Sequence, residues 1–209
     1  MAEAYVKSEL HNSITTIDFF HPQSNSLPGK ILEELSQAIL GAGNDIYTKI
    51  IILKSAGEKA FCAGASFDEL IAIKSKEEGL EFFSGFAKVI NAMRICPKFI
   101  IGRIHGKCVG GGVGLAAAVD YAIAKEGAEV KLSELAVGIG PFVVGPAVER
   151  KIGEQAAKIA AEKVAQGMAA TEAEAFGKAA ATQLLNNSPL MKEAANQAIA
   201  KGLQRGASA

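Results

Sequence analysis

The segments Ala60-Phe-Cys-Ala-Gly-Ala-Ser66 and His105-Gly-Lys-Cys-Val-Gly-Gly-Gly-Val-Gly114 stand about forty residues apart, and each follows a β-branched apolar run and opens into a helix-forming stretch. A strand that enters a glycine turn and leaves it as a helix presents backbone N–H groups with no intrahelical partner. The helix dipole adds positive potential at the same place. Two such turns aimed at one point would grip an oxyanion. Taken by itself, the triplet at 110–112 reads first as a device for close helix packing.

The flanks of these segments read as alternating strands and helices. Residues 13–20 and 49–53 are rich in β-branched and aromatic side chains, whereas 28–40 repeats apolar positions at Ile31, Leu35 and Ile39, the spacing of one helix face. Pro28 suits a first helical turn, and Gly41 with Gly43 is expected to end that helix. A helix over 79–93, a strand over 99–104 and a helix of small residues over 111–119 follow. The last has no polar face, so burial is expected. Residues 121–124 and 130–132 read as short strands across a Glu126-Gly127 turn. This alternation, sustained to about Glu134, predicts an α/β core.

Beyond Gly153 roughly a third of the residues are alanine and no strand-like run appears. That part reads as two or three helices punctuated by Ser188-Pro189. The expected organisation is a core over 1–152 followed by a short alanine-rich helical tail over 153–209.

With 49% apolar residues the chain has material for a packed core, and 22 basic against 22 acidic side chains leave no charge excess to recruit nucleic acid or an anionic membrane. Cys62, Cys96 and Cys108 are odd in number and lack zinc-site spacing, which fits reduced thiols and a cytoplasmic location. The first residues carry no apolar signal core. The longest uncharged run, 135–148, is too short to span a bilayer and is broken by glycine and proline, so a soluble protein is expected. His11, His21 and His105 are too scattered for a metal site, and none is assigned a role.

Read at full length, Ala60-Phe-Cys-Ala-Gly-Ala-Ser-Phe-Asp-Glu-Leu70 and Gly106-Lys-Cys-Val-Gly-Gly-Gly-Val-Gly-Leu-Ala116 resemble the two signature segments of the crotonase, or enoyl-CoA hydratase/isomerase, family. The resemblance covers residues 13–153. It implies a spiral of ββα units, an acyl-CoA thioester as substrate, and no cofactor beyond the CoA moiety of that substrate. It also implies assembly as a homotrimer or hexamer, which a shortened tail would put in question. By position, Ala65 and Gly111 match the residues whose backbone N–H groups hold the thioester oxygen. Ala63, Ala65, Ser66, Phe67 and Asp68 fall on the CoA-binding stretch, with Gly111, Gly114 and Phe142 beside the acyl group. Loss of an α-proton puts negative charge on the thioester oxygen, and fixed donors stabilise that enolate more than the ground state. One such donor is worth about 3–4 kcal/mol in model enzymes.

Glu134, in Lys131-Leu-Ser-Glu-Leu135, falls where the family places a catalytic glutamate at the end of a short strand. Its neighbours Leu132, Leu135, Ala136 and Val137 are apolar, and partial burial would raise its pKa toward the range of a useful base and acid. A surface acid capping the turn after Ser133 is the other reading. The hydratases of the family carry a second glutamate where this chain has Gly114. Hydration must direct a water as well as a proton, a task suited to two carboxylates, whereas moving a double bond needs one base. Gly114 therefore favours isomerisation; the competing readings are a pocket enlarged for bulkier acyl groups and an inactive homologue. A second departure is Gly138-Ile-Gly-Pro-Phe-Val-Val-Gly145, greasier than the glycine-rich loop of many relatives. It either reshapes the acyl pocket or packs in the core.

The resulting expectation is a crotonase-like enzyme, an isomerase before a hydratase, working through an enolate with Glu134 as proton shuttle. A 2-enoyl-CoA hydratase using Glu134 alone and a non-catalytic acyl-CoA binder are the alternatives. Gly112-x-Gly114-x-x-Ala117 also fits a loose dinucleotide-binding pattern, but it does not open its βαβ unit and leaves the first glycine turn unexplained.

Overall fold

Asn12 and Ser13 both adopt left-handed backbone angles, φ 48° and 63°, and turn the chain tightly between β1 (Tyr5–His11) and β2 (Ile14–Phe20). β1 is largely exposed and polar, as suits the outer edge of a sheet. From β2 onward the neighbours are parallel: β4 (Ile50–Ser55), β7 (Phe99–Ile104) and β9 (Tyr121–Ala124) complete a five-stranded sheet in the order β1-β2-β4-β7-β9. Alternate residues Ile17 and Phe19, Ile51 and Leu53, and Ile100 and Ile104 point to its inner face and are buried. The computed structural model describes residues 3–134, 140–169 and, within 171–179, all but 173 and 176.

The helices that close the parallel connections supply the other half of the core. α1 (Gly29–Asn44) buries Ile31, Leu32, Leu35 and Ile39, and α3 (Lys76–Ile95) buries Phe86, Val89, Ile90 and Met93. They meet where Gly85 leaves room for Leu32: a Cβ there would stand 2.8 Å from the leucine Cδ1. α3 starts at Lys76, earlier than expected, because the Ser75 hydroxyl accepts the Glu78 N–H at 3.1 Å and caps it. The short α4 (Gly111–Ala118) ends on the sheet, where the methyls of its capping Val119 lie 3.1 Å from the place a Cβ on Gly102 would take.

From β2 onward each long strand is followed by a short one outside the large sheet. β5 (Ala60–Cys62), β8 (Lys107–Val109) and β10 (Val130–Lys131) form a parallel sheet in the order β10-β8-β5, and β3 (Ser26–Leu27) pairs in parallel with β6 (Gly64–Ala65). Strand, short strand, helix thus recurs through the chain as a backbone repeat with no matching repeat of side chains. This is the ββα spiral expected from the resemblance.

Three expectations need correction. α1 runs through Gly41 and Gly43 to Asn44; Gly43 serves packing, since a Cβ there would meet Cys96 Sγ at 3.1 Å and Pro97 Cδ at 3.4 Å. The strands at 121–124 and 130–132 do not pair with each other. β9 lies beside β7 and β10 beside β8, and the turn at Gly127 (φ 76°) carries the chain from one sheet to the other. β10 also stops at Lys131, so Glu134 follows the strand instead of ending it.

The chain divides into two compact units, Met1–Lys131 with Pro141–Ala147, and Leu132–Gly140 with Val148–Ala209. Most of the second unit's described residues are helical. α5 (Gly145–Ala165) carries Arg150 and Lys151 paired with Glu154, the latter at 3.1 Å, and Lys178 meets Glu174 at 2.6 Å one turn apart. The Ser188-Pro189 break lies outside the described residues. Among the described residues no helix is long and apolar enough to cross a membrane.

Candidate active site

The two glycine segments are brought together by backbone contact. Ala60 and Cys62 on β5 pair with Lys107 and Cys108 on β8, with an irregularity between them. A Cβ on Gly106 would stand 2.8 Å from the Lys59 carbonyl oxygen, and one on Gly112 only 2.3 Å from that of Cys62. No side chain larger than hydrogen fits at either place. Gly64, at φ 95°, brings β6 against the start of α4: a Cβ there would lie 3.1 Å from the Val109 carbonyl oxygen and 3.7 Å from the Gly111 nitrogen.

The pairing of β6 decides where the Ala65 N–H points. Ser66 N–H donates to the Leu27 carbonyl at 3.1 Å. Successive N–H groups along a strand face opposite edges, so Ala65 N–H is turned away from β3, and among the described residues β6 has no other strand beside it. Gly111 is the first residue of α4, where helix geometry provides no acceptor for its N–H; the first bond of that turn is Val113 N–H to Gly110 O, 2.9 Å. Gly110 reaches φ 53°, ψ −119° to start the helix there. Two backbone donors on adjoining elements are thus left off the regular hydrogen-bond ladders.

A residue that the sequence reading passed over holds the first segment in place. Asn25 is 1% exposed with φ 57°, and its side-chain nitrogen donates to the carbonyls of Ala56 (2.8 Å) and Ala60 (2.9 Å). Its side-chain oxygen accepts His21 N–H at 2.7 Å, and its own carbonyl accepts Ala63 N–H at 3.0 Å. Every polar group of the asparagine is used, which fixes its amide orientation. The stretch His21-Pro-Gln-Ser-Asn25 reads as a turn from sequence; its partners, the nearest of them 31 residues on, do not.

The remaining residues of the first segment are placed as follows. Ala63 is tied to Asn25, and Ser66 is 3% exposed, with its hydroxyl accepting Glu69 N–H (3.3 Å) to cap α2 (Phe67–Ala72). Phe67 is 67% exposed, and Asp68 accepts from Gln23 at 3.2 Å on the surface. Phe142 is exposed. The place beside Gly114 is not the open space that an enlarged acyl pocket requires: a Cβ there would meet Val144 Cγ1 at 2.6 Å and Ile90 Cδ1 at 2.8 Å. Of the greasy segment, Val144 packs in the core and Phe142 does not.

Glu134 lies in the second unit. Its Oε2 is buried without a hydrogen-bond partner among the described residues, and burial pushes its carboxyl above the ordinary value, offset in part by its own backbone N–H. Burial also pushes the thiols of Cys62, to about 12, and Cys108, to about 11, so both are unreactive hydrophobes near neutral pH. His105 is held below its ordinary pKa by burial first and then by the Arg103 charge. Among the described residues no cluster of His, Cys, Asp or Glu could hold a metal ion.

The spiral of ββα units has counterparts among known proteins. The enoyl-CoA hydratase/isomerase family model matches residues 9–204, and this chain belongs to that family. The short-chain-enoyl-CoA hydratase of Clostridium acetobutylicum is 28% identical over 213 residues, covering 94% of this chain and 81% of its own. The human mitochondrial 3-hydroxyisobutyryl-CoA hydrolase is 30% identical over 135 residues, 62% of this chain and 35% of that one. An enoyl-CoA hydratase structure from Mycobacterium smegmatis superposes with a TM-score of 0.65 at 28% identity, over 69% of this chain and 57% of that chain. The chain spans about half the length of several curated relatives that it matches.

Proposed function

We propose that this protein moves the double bond of an enoyl-CoA thioester by proton transfer through an enolate. The observation that carries the reading is the approach of Gly64 to Gly111, which sets the Ala65 and Gly111 N–H groups on adjoining backbone with no ladder partner. A 3-enoyl thioester bound with its carbonyl oxygen on both amides gives up a C2 proton to the Glu134 carboxylate. The electron pair spreads over C2 to C4 and the oxygen as a dienolate, on which the two donors act more strongly than on the neutral carbonyl. The protonated glutamate then returns the proton to C4, leaving the double bond between C2 and C3. No cofactor beyond the CoA of the substrate takes part in this step.

Glu134 is assigned as base by its place in the family pattern and by the raised pKa that makes it both a stronger base when ionised and a usable acid when protonated. The thioester class is drawn from the family and from the names of the relatives. Hydration of a 2-enoyl thioester by Glu134 alone is the second reading, favoured by the hydratase name of the Clostridium relative.

A panel of 3-enoyl and 2-enoyl thioesters, followed by absorbance and mass, separates the readings, because isomerisation leaves the mass unchanged and hydration adds a water. Glu134→Ala is expected to lower turnover by about a hundredfold or more, the contribution of a positioned acid–base group, while CoA-ester affinity holds. Unchanged turnover would remove Glu134 from the chemistry. Binding without conversion by the parent protein would leave an acyl-CoA binder in place of an enzyme.

A further inference from the structure

We propose that Val144 is the residue that restricts this site to chemistry with a single carboxylate, by filling the space in which a side chain at position 114 would stand. The inference rests on the proposed function and names what sets its specificity.

The geometry is local to the first unit. A Cβ built on Gly114 would lie 2.6 Å from Val144 Cγ1, 2.8 Å from Ile90 Cδ1 and 3.0 Å from Val144 Cβ, all inside ordinary carbon contact. Val144 is 1% exposed, Ile90 is 5% exposed and Gly114 is buried, so the three close on one another in the core. Three residues back on α4, the same helix face is closed by the Phe86 ring, 2.6 Å from the place of a Cβ on Gly111. Phe86 and Ile90 sit one turn apart on α3, and Val144 arrives separately on Pro141–Ala147.

Two consequences follow from packing at this distance. The first is that Gly114 cannot be exchanged alone for the glutamate that the family's hydratases carry there, because the hydrocarbon that would have to move belongs to two other elements. The second concerns water. A structural water needs room and two to four polar partners, and the contact between Gly114, Val144 and Ile90 provides neither. A second carboxylate and the water it would direct are excluded by the same methyl groups. The departure at 114 and the valine at 144 are therefore one arrangement in space.

The test pairs a packing measurement with a chemical one. Thermal unfolding of the parent, Gly114→Ala, Val144→Ala and the double variant is expected to show a strong loss for Gly114→Ala. The double variant is expected to melt well above the sum of the single losses, because V144A removes the nearest contact. In G114E/V144A the ratio of hydration to isomerisation is expected to rise at least about tenfold over the parent, short of the roughly hundredfold of a fully positioned acid–base group. Additive melting losses, or a Gly114→Ala chain as stable as the parent, would overturn the packing claim. An unchanged ratio in G114E/V144A with isomerisation intact would overturn the specificity claim and leave the proposed function standing. A parent inactive on every thioester would remove the proposed function and the specificity claim with it, and the melting cycle would then decide the packing claim alone.

Discussion

Glu134 carries the only role in this account that depends on a titrating side chain, and its surroundings make that role visible in stability. Burial raises its carboxyl above the ordinary value of 4.5, so the folded protein holds the proton more tightly than the unfolded chain does. The stability linked to this group is complete below about 4.5, falls as pH rises from there through the raised folded value, and stays at the lower level beyond it. Glu134→Gln keeps the shape and removes the titration. Its melting temperature is expected to exceed that of the parent at neutral pH, with the gap closing below the ordinary carboxyl range. Melting curves of both chains across pH check this, and a gap that does not change with pH would mean that burial is not what shifts the group. The raised pKa was readable from the apolar neighbours Leu132 and Leu135. Asn25 was not, because an asparagine in a turn looks the same whether its amide meets water or, as here, the carbonyls of Ala56 and Ala60.

The site depends on one short element, β6, meeting the first turn of α4. Gly64 makes that meeting feasible, and Gly64→Ala would impose both a left-sided backbone angle on a residue with a Cβ and a contact of 3.1 Å with the Val109 carbonyl. The expected loss is about 2 kcal/mol of stability in denaturant unfolding. Turnover is expected to fall more than about tenfold in the folded fraction, since the shift displaces one donor from the other. Full activity in that variant would separate the turnover from this backbone contact. Elements of this kind are where the sequence was least legible. β2, β7, β9 and α4 were readable within a residue or so, because each has enough length to show a period or a composition. β3, β5, β6 and β8 are two or three residues long and show none, whereas β10 was readable within a residue from the run at 130–132. β1 escaped notice because an edge strand does not need the apolar alternation that announces a buried one. α1 was cut short because Gly41 and Gly43 read as a stop, whereas Gly43 answers to Cys96 and Pro97 across the fold.

At the scale of the molecule, the large sheet and the three-stranded second sheet are wound so that three successive returns of the chain, β4 with β5, β7 with β8 and β9 with β10, each add one strand to each. The backbone repeat has no sequence repeat because successive turns of the spiral meet different neighbours. Among the described strands β1 and β9 are the two edges of the large sheet and β2, β4 and β7 lie between them, with β4 opening on an uninterrupted apolar run at 50–53. The α/β class was therefore legible from alternation, while the spiral was legible only through the family likeness of the two glycine segments. Gly114 and Val144 were each legible as departures from that likeness; their contact was not, because nothing in a linear reading joins positions thirty residues apart. The account as a whole stands on two main-chain amides sharing one oxygen. A crystal structure of the full chain with a bound acyl-CoA thioester tests this most directly. The thioester oxygen is expected within about 2.7–3.1 Å of both the Ala65 and Gly111 nitrogens. A carbonyl seated elsewhere, or either amide bonded to another group of the protein with substrate in place, would contradict the account.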